Sequence, residues 1–185
     1  MTKINNYCEI MKPASRRWHK QFVKWLSRNW TEDMKIIDLG CGDETLTNEL
    51  AYIGFKSDAL DYPEIDLEKP FNFKEKYDVI ILKFVLEHIN NTIQLFESCY
   101  KSLKPTGKLI VLTDDSPVDW DGFLEDPTHI TPFTLNRLTN LGAMTGFQEL
   151  ECRSWRNLPY IWRWWAFAFN YVWINPKQLF GVFVK

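Results

Sequence analysis

Residues 35–50, KIIDLGCGDETLTNEL, constrain the fold of this chain more than any other stretch. An aliphatic run from Met34 to Leu39 suits a strand buried on both faces, as in a parallel sheet. It passes through Gly40 and Gly42 into a helical pattern that begins near Glu44. Leu46, Leu50 and Ile53 mark the buried stripe of that helix, and Gly54 is a natural residue to follow its last turn.

The same grammar continues downstream. KSDALDY (56–62) reads as a second strand, and EIDLEKP (64–70) as a very short third one ended by Pro70. YDVIILKF (77–84) reads as a central strand. A helix follows from Asn90 or Asn91, both good caps, with Ile93, Phe96, Tyr100 and Leu103 as its stripe. LKPTG (103–107) ends it, because Pro105 cannot continue a helix. KLIVLT (108–113) is the next strand, residues 114–131 a polar acidic loop, and Pro132 to Thr145 a helix stopped by Gly146. FQELECRSW (147–155) alternates as a strand does, and QLFGVFVK (178–185) is the last strand. Strands alternating with helices imply an α/β fold with a doubly wound, mostly parallel sheet.

The 185 residues are expected to form one domain. Within it, residues 1–30 are a helical N-terminal segment, 34–113 the core, and 114–185 a loop, an aromatic helix and the last strands. Residues 14–28 fit an amphipathic helix, with Trp18, Phe22, Trp25 and Leu26 on one face and a basic remainder. At 45% apolar the chain can bury a real core, and a net charge of −2 supplies no field that favours nucleic acid. Cys8, Cys41, Cys99 and Cys152 have neither metal-type nor disulfide-framework spacing. They read as reduced thiols. The N-terminus lacks the apolar core of a secretory signal, so the expected location is cytoplasmic.

Ligands of such sheets sit beyond the carboxyl ends of the strands, where Gly40 and Gly42 would let a ligand approach the backbone. The charges nearby narrow the choice. A diphosphate placed on this turn would meet Asp38, Asp43 and Glu44. At roughly 4 Å and an effective dielectric near 20, each like-charge contact costs about 4 kcal/mol, less where water screens it. No P-loop lysine follows the glycines. A ligand with cationic groups fits better, and S-adenosylmethionine carries a sulfonium and an ammonium beside one carboxylate. Asp61 ends the second strand about 20 residues on, where an acid accepts hydrogen bonds from ribose hydroxyls. Asp66 and Leu67 offer a polar contact and an apolar wall to an adenine.

IIDLGCGDE, ALDY, IDLEKPF, YDVIILKFVLEHI and LKPTGKLIV, in that order, resemble the class I (Rossmann-like) S-adenosylmethionine-dependent methyltransferases. DPTHITPFT and the Gly146–Phe147 pair extend the resemblance to the members acting on small molecules. It implies that Asp38, Gly40 and Gly42 shape the methionine pocket, with Asp38 reaching the ammonium. It further implies Asp61 on the ribose, Asp66 and Leu67 at the adenine, and Lys83 and Phe84 beside the cofactor. Two departures stand out. Glu44 occupies the position of the third glycine, and too few residues separate Asp61 from Tyr77 for a full helix, strand and helix.

Methyl transfer from a sulfonium is an in-line displacement, so positioning supplies much of the catalysis and leaves a weak residue signature. His88, in VLEHI, and His129, in DPTHITPF, are the candidate catalytic residues, because imidazole titrates near neutral pH. Asp114 to Asp126 lack the order of an EF-hand, and no metal site is expected. LPYIWRWWAFAFNYVWI (158–174) is shorter than the roughly 20 residues of a membrane span. It reads as a packing helix that walls the acceptor pocket or joins a homodimer, with a peripheral membrane contact as the alternative. The acceptor is expected to be a small molecule and not a nucleic acid. Two other readings remain open on sequence: a binding or scaffold protein that keeps the fold without catalysis, and a nicotinamide-dependent oxidoreductase.

Overall fold

Alternate residues of the aliphatic runs face opposite sides of a single sheet. The computed structural model describes residue 23 and residues 27–117, 119–155 and 178–185. Its strands are β1 (Ile36–Leu39), β2 (Ser57–Leu60), β3 (Tyr77–Lys83), β4 (Leu103–Asp114), β5 (Gln148–Trp155) and β6 (Gln178–Val184). They lie in the order β2-β1-β3-β4-β6-β5. β1 pairs parallel with β2 and with β3, and β3 parallel with β4. β6 runs antiparallel to both β4 and β5. The expected α/β sheet is therefore present and mostly parallel, with one reversed strand.

Helix α1 (Thr45–Tyr52) covers one face. Its Leu46 and Leu50 pack with Ile36, Val79, Ile81, Ile110, Leu112 and Phe180. On the other face, α2 (Thr92–Ser102) and α4 (Leu135–Met144) bury Leu95, Phe96, Cys99, Leu138 and Leu141 against Ile37, Leu39, Ile80, Leu82, Leu109 and Val111. The two-residue period of each strand divides its side chains between these layers.

Several expectations change. The stripe of α2 is broader than the one read off the sequence: Phe96 is buried and Tyr100 packs on the core as expected, Leu95 and Cys99 are buried beside them, and only Ile93 turns outward, 44% exposed. Asn91 is the cap, its side chain accepting a hydrogen bond from the Gln94 N–H at 3.2 Å. Residues 103–107 do not form a loop after the helix but begin β4, with Thr106 in the left-handed region. The acidic segment after β4 contains a short helix, α3 (Trp120–Glu125). The helix read from Pro132 starts at Leu135, where the Thr134 side chain accepts from the Arg137 N–H. The segments read as a basic helix (14–28) and an aromatic helix (158–174) lie outside the described residues, apart from Val23 and the single turn Ser27–Asn29.

The third strand expected at 64–70 is absent, and residues 61–76 contain neither helix nor strand. Hydrogen bonds to α2 hold this shortened crossover in place. The Glu68 carboxylate accepts from the Asn90 N–H at 2.8 Å, and Gln94 donates back to the Glu68 carbonyl. Ser98 and Ser102 accept from the Phe71 and Phe73 N–H groups, each at 3.2 Å. These bonds let Leu67, Phe71 and Phe73 pack on the core in place of a helix.

Gly142 of α4 shows how tightly the reversed strand is packed. A Cβ placed there would stand 2.5 Å from the ring of the fully buried Phe183 of β6. Gly142→Ala is expected to destabilise the fold by about 1–3 kcal/mol through overpacking. Urea denaturation measures this, and an unchanged midpoint would contradict the packing.

Candidate active site

The carboxyl ends of β2, β1 and β3 lie side by side next to the turn 40–44, and the space beyond them is the candidate crevice. Gly40 has φ +73°, and a Cβ there would fall 2.5 Å from a methyl of Val85. Its N–H donates to the Leu60 carbonyl at 2.8 Å, so it also carries the pairing of β1 and β2 past the strand ends. Gly42 has φ +54°, and nothing stands within 4 Å of the place a Cβ would occupy, so its face is open. The Gly42 N–H donates to Asp61 Oδ2 at 2.9 Å, while Asp61 Oδ1 accepts from the Tyr62 N–H at 2.8 Å. Asp61 thus ties the turn to the end of β2 and keeps spare lone pairs on both oxygens.

Glu44, the departure from the glycine pattern, keeps a glycine's backbone conformation at φ +58°. Phe84, just after β3, has φ +54°. Such left-handed non-glycine residues cost of order 1–3 kcal/mol each and cluster at functional sites.

Asp38 is 1% exposed. The Thr47 hydroxyl donates to its Oδ2 at 3.2 Å. Burial pushes the carboxyl up to about 6; Lys83 and Thr47 pull it down, and Asp61 and Asp43 push it further up. Burial and the neighbouring acids also push the Cys41 thiol up to about 11, which leaves it no nucleophilic role near neutral pH. Asp61 and Asp43 thus add to the cost of ionising the buried Asp38, and a cationic ligand would relieve it.

Asp38, Gly40, Gly42, Asp61 and Lys83 lie together at these strand ends, with Phe84 next to Lys83. Asp66 and Leu67 are otherwise engaged. Asp66 pairs with Lys69 at 2.9 Å and accepts from the Glu68 N–H, and Leu67 is buried in the core.

A second cluster lies beyond β3 and β4. Residues 86–88 form a short turn, and the loop 128–131 is fastened onto it. The Ile130 and Thr131 N–H groups donate to the Glu87 carbonyl at 2.8 and 3.0 Å, and the Thr131 hydroxyl donates to the Ile89 carbonyl. This brings His88 and His129 together, with ring centroids 4.8 Å apart. His88 Nδ1 lies 3.2 Å from the Thr128 carbonyl, and His129 Nδ1 lies 3.1 Å from the Phe123 carbonyl. A carbonyl can only accept, so each of these contacts takes a proton on Nδ1; the Thr128 hydroxyl also lies 3.0 Å from His88 Nδ1, and His129 Nε2 lies 3.8 Å from the Asp126 carboxylate.

The residue that sequence reasoning missed is Glu87, seen there only as a neighbour of His88. It is 1% exposed. Its Oε2 accepts from the Thr113 hydroxyl at 2.7 Å, and its Oε1 is buried without a partner among the described residues. Burial pushes its carboxyl up to about 7. Glu87, His88 and His129 each present one oxygen or nitrogen, all within 4.8 Å of one another, close enough to share a proton or a cation. No metal was expected from the sequence, which did not group these three. The available signal was an acid placed after the apolar residues Phe84, Val85 and Leu86 that follow β3.

The comparisons with known proteins agree with this geometry. A family model described as a methyltransferase domain matches residues 9–152. The rat mitochondrial ubiquinone biosynthesis O-methyltransferase is 30% identical over 105 residues, covering 43% of this chain and 30% of that protein. The Rickettsia conorii ubiquinone biosynthesis O-methyltransferase is 27% identical over 123 residues, covering 54% of this chain and 43% of that one. The chain thus spans less than half the length of these curated relatives. Among solved structures, an S-adenosylmethionine-dependent methyltransferase from Archaeoglobus fulgidus superposes with a TM-score of 0.69 at 14% identity, covering 92% of this chain and 94% of that one.

Glu87 generates a prediction about pH. Its folded pKa lies above its unfolded value, so its contribution to stability is full below the unfolded pKa and is lost as pH rises through the folded one. Wild-type stability should therefore fall between about pH 5 and about pH 8, and Glu87→Gln should narrow that fall. Urea midpoints at the two pH values measure it; an equally steep fall in the variant would contradict the burial of this charge.

Proposed function

The chain belongs to the methyltransferase domain family, and from that premise we propose that it transfers a methyl group from S-adenosylmethionine to a small-molecule acceptor. The observation that carries this reading is the buried Asp38 carboxylate at an open glycine turn ringed by Asp43, Glu44 and Asp61. That turn suits a cationic ligand and repels a diphosphate, which disfavours a nicotinamide cofactor. When bound, S-adenosylmethionine supplies an electrophilic methyl group on a sulfonium.

The chain's own residues do the rest. In this reading, Asp38 receives the ammonium of the methionyl end, and Asp61 accepts from the ribose hydroxyls with the lone pairs that Gly42 and Tyr62 leave free. Gly42 lets the ligand lie against the backbone. Val85, packed beneath Gly40, keeps the turn from collapsing toward β3. On the acceptor side, the Nε2 atoms of His129 and His88 are the proton acceptors. Nδ1 of each is committed to a carbonyl, so the ring enters the reaction in one orientation. Glu87 sits beside them and can hold the proton once it has left the acceptor, since its carboxyl is balanced near neutrality. Trp120, stacked on Phe123, and the exposed Leu124 and Ile130 add apolar surface near His129 and suit an acceptor with an apolar or aromatic body.

Two variants test the division of labour. Asp61→Ala should weaken S-adenosylhomocysteine binding by about tenfold or more, because it removes both the ribose acceptor and the tether of the turn; wild-type affinity in calorimetry would defeat that assignment. His129→Ala should lower turnover about 10²-fold or more while leaving cofactor affinity within about twofold. Unaltered turnover would remove His129 as the proton acceptor.

A further inference from the structure

One fully buried hydroxyl has no task in the scheme above. Thr113 lies near the end of β4, where its main chain pairs with Leu179 of β6. Leu109 to Leu112 before it are aliphatic and buried, and a hydroxyl in such surroundings is costly unless it has a partner. The partner comes from β3, on the other side of β4. Lys83 is still paired with Leu112, the Phe84 N–H donates to the Leu112 carbonyl at 2.7 Å, and the chain then turns through residues 86–88. That turn returns the Glu87 carboxylate to β4, where the Thr113 hydroxyl donates to its Oε2 at 2.7 Å.

Glu87 is therefore held twice. The loop 128–131 takes its main-chain carbonyl and sets His129 beside His88. Thr113 takes one side-chain oxygen and leaves the other, Oε1, buried without a partner among the described residues. A hydroxyl has one proton to give, and here it goes to a carboxylate, the stronger kind of hydrogen bond. Such a bond favours the ionised form. It opposes the burial and the nearby Asp114 and Asp126, all of which favour the protonated one. Among the described residues, those two acids and the imidazoles of His88 and His129 are the titratable groups that face this carboxyl.

We propose that Thr113 is a positioning residue of the transfer: by holding Oε2 it makes Oε1 the oxygen through which Glu87 exchanges a proton with the imidazole pair. The assignment rests on the reading of Glu87 as the group that holds the acceptor's proton, and makes it more specific. One proton moves. The imidazolium N–H bond breaks, the Oε1–H bond forms, the imidazole becomes neutral and the carboxylate becomes a neutral carboxyl. Thr113 keeps its own proton throughout and acts only through Glu87.

NMR titration of the full chain tests this without an acceptor, reading the Glu87 carboxyl carbon and the Cε1–H groups of His88 and His129. In wild type both imidazole curves should carry an inflection at the Glu87 midpoint, and Glu87→Gln should abolish it. Thr113→Val should raise that midpoint by about one pH unit, a tenfold change in proton affinity, and move the imidazole inflection with it. Thr113→Ser, which keeps the hydroxyl, should stay within about 0.3 units of wild type. A Glu87 midpoint unmoved in Thr113→Val, or one that moves while the imidazole curves stay as in wild type, would overturn the proposal and leave Thr113 a structural partner. Should Thr113→Val fail to fold, Thr113→Ala replaces it with the same expectation, and imidazole curves identical in wild type and Glu87→Gln overturn the proposal by themselves. Calorimetry with S-adenosylhomocysteine keeps the two readings apart: a chain that shows the coupled titration but does not bind this ligand contradicts the cofactor reading and not the place of Thr113.

Discussion

A carboxylate taken out of water at the end of β1 sets the terms for everything around it. The Thr47 hydroxyl donates to the Asp38 carboxylate, and Asp61 and Asp43 are its acidic neighbours. Burying a charge is expensive unless a partner arrives. The backbone around it is held accordingly: Gly40 leaves room for Val85, Gly42 donates to Asp61, and Glu44 and Phe84 sit in left-handed conformations that nothing local favours. The crevice is preorganised for a positive charge that the protein does not itself supply in full.

The cofactor side was legible in the sequence because each of its parts has a local signature. An aliphatic run, paired glycines and acids after them locate β1, the turn and α1, and an acid at the end of the next strand locates Asp61. What was misread depended on long-range pairing. Residues 64–70 read as a very short strand, yet no described strand pairs with them, and hydrogen bonds to Asn90 and Gln94 hold them instead.

The acceptor side was less legible for a similar reason. His88 and His129 are distant in the chain, and only the docking of the loop 128–131 onto the Glu87 carbonyl brings their rings together. Neither histidine predicts the other in sequence. Glu87 has no local mark except the apolar Phe84, Val85 and Leu86 before it, and the burial of its Oε1 without a partner among the described residues emerges only in three dimensions. The two clusters differ in kind. One gathers carboxylates at a glycine turn, while the other sets two imidazoles beside a buried carboxyl, an arrangement that suits the proposed transfer to a protonated acceptor.

The most direct test of the central claim, that the acid-lined turn selects a cationic sulfur ligand over a diphosphate, is a side-by-side calorimetric titration of the unmodified chain with S-adenosylmethionine and with a nicotinamide dinucleotide near neutral pH. The account predicts saturable one-to-one binding of S-adenosylmethionine and no heat from the dinucleotide. Saturable binding of the dinucleotide, or of neither molecule, would contradict it.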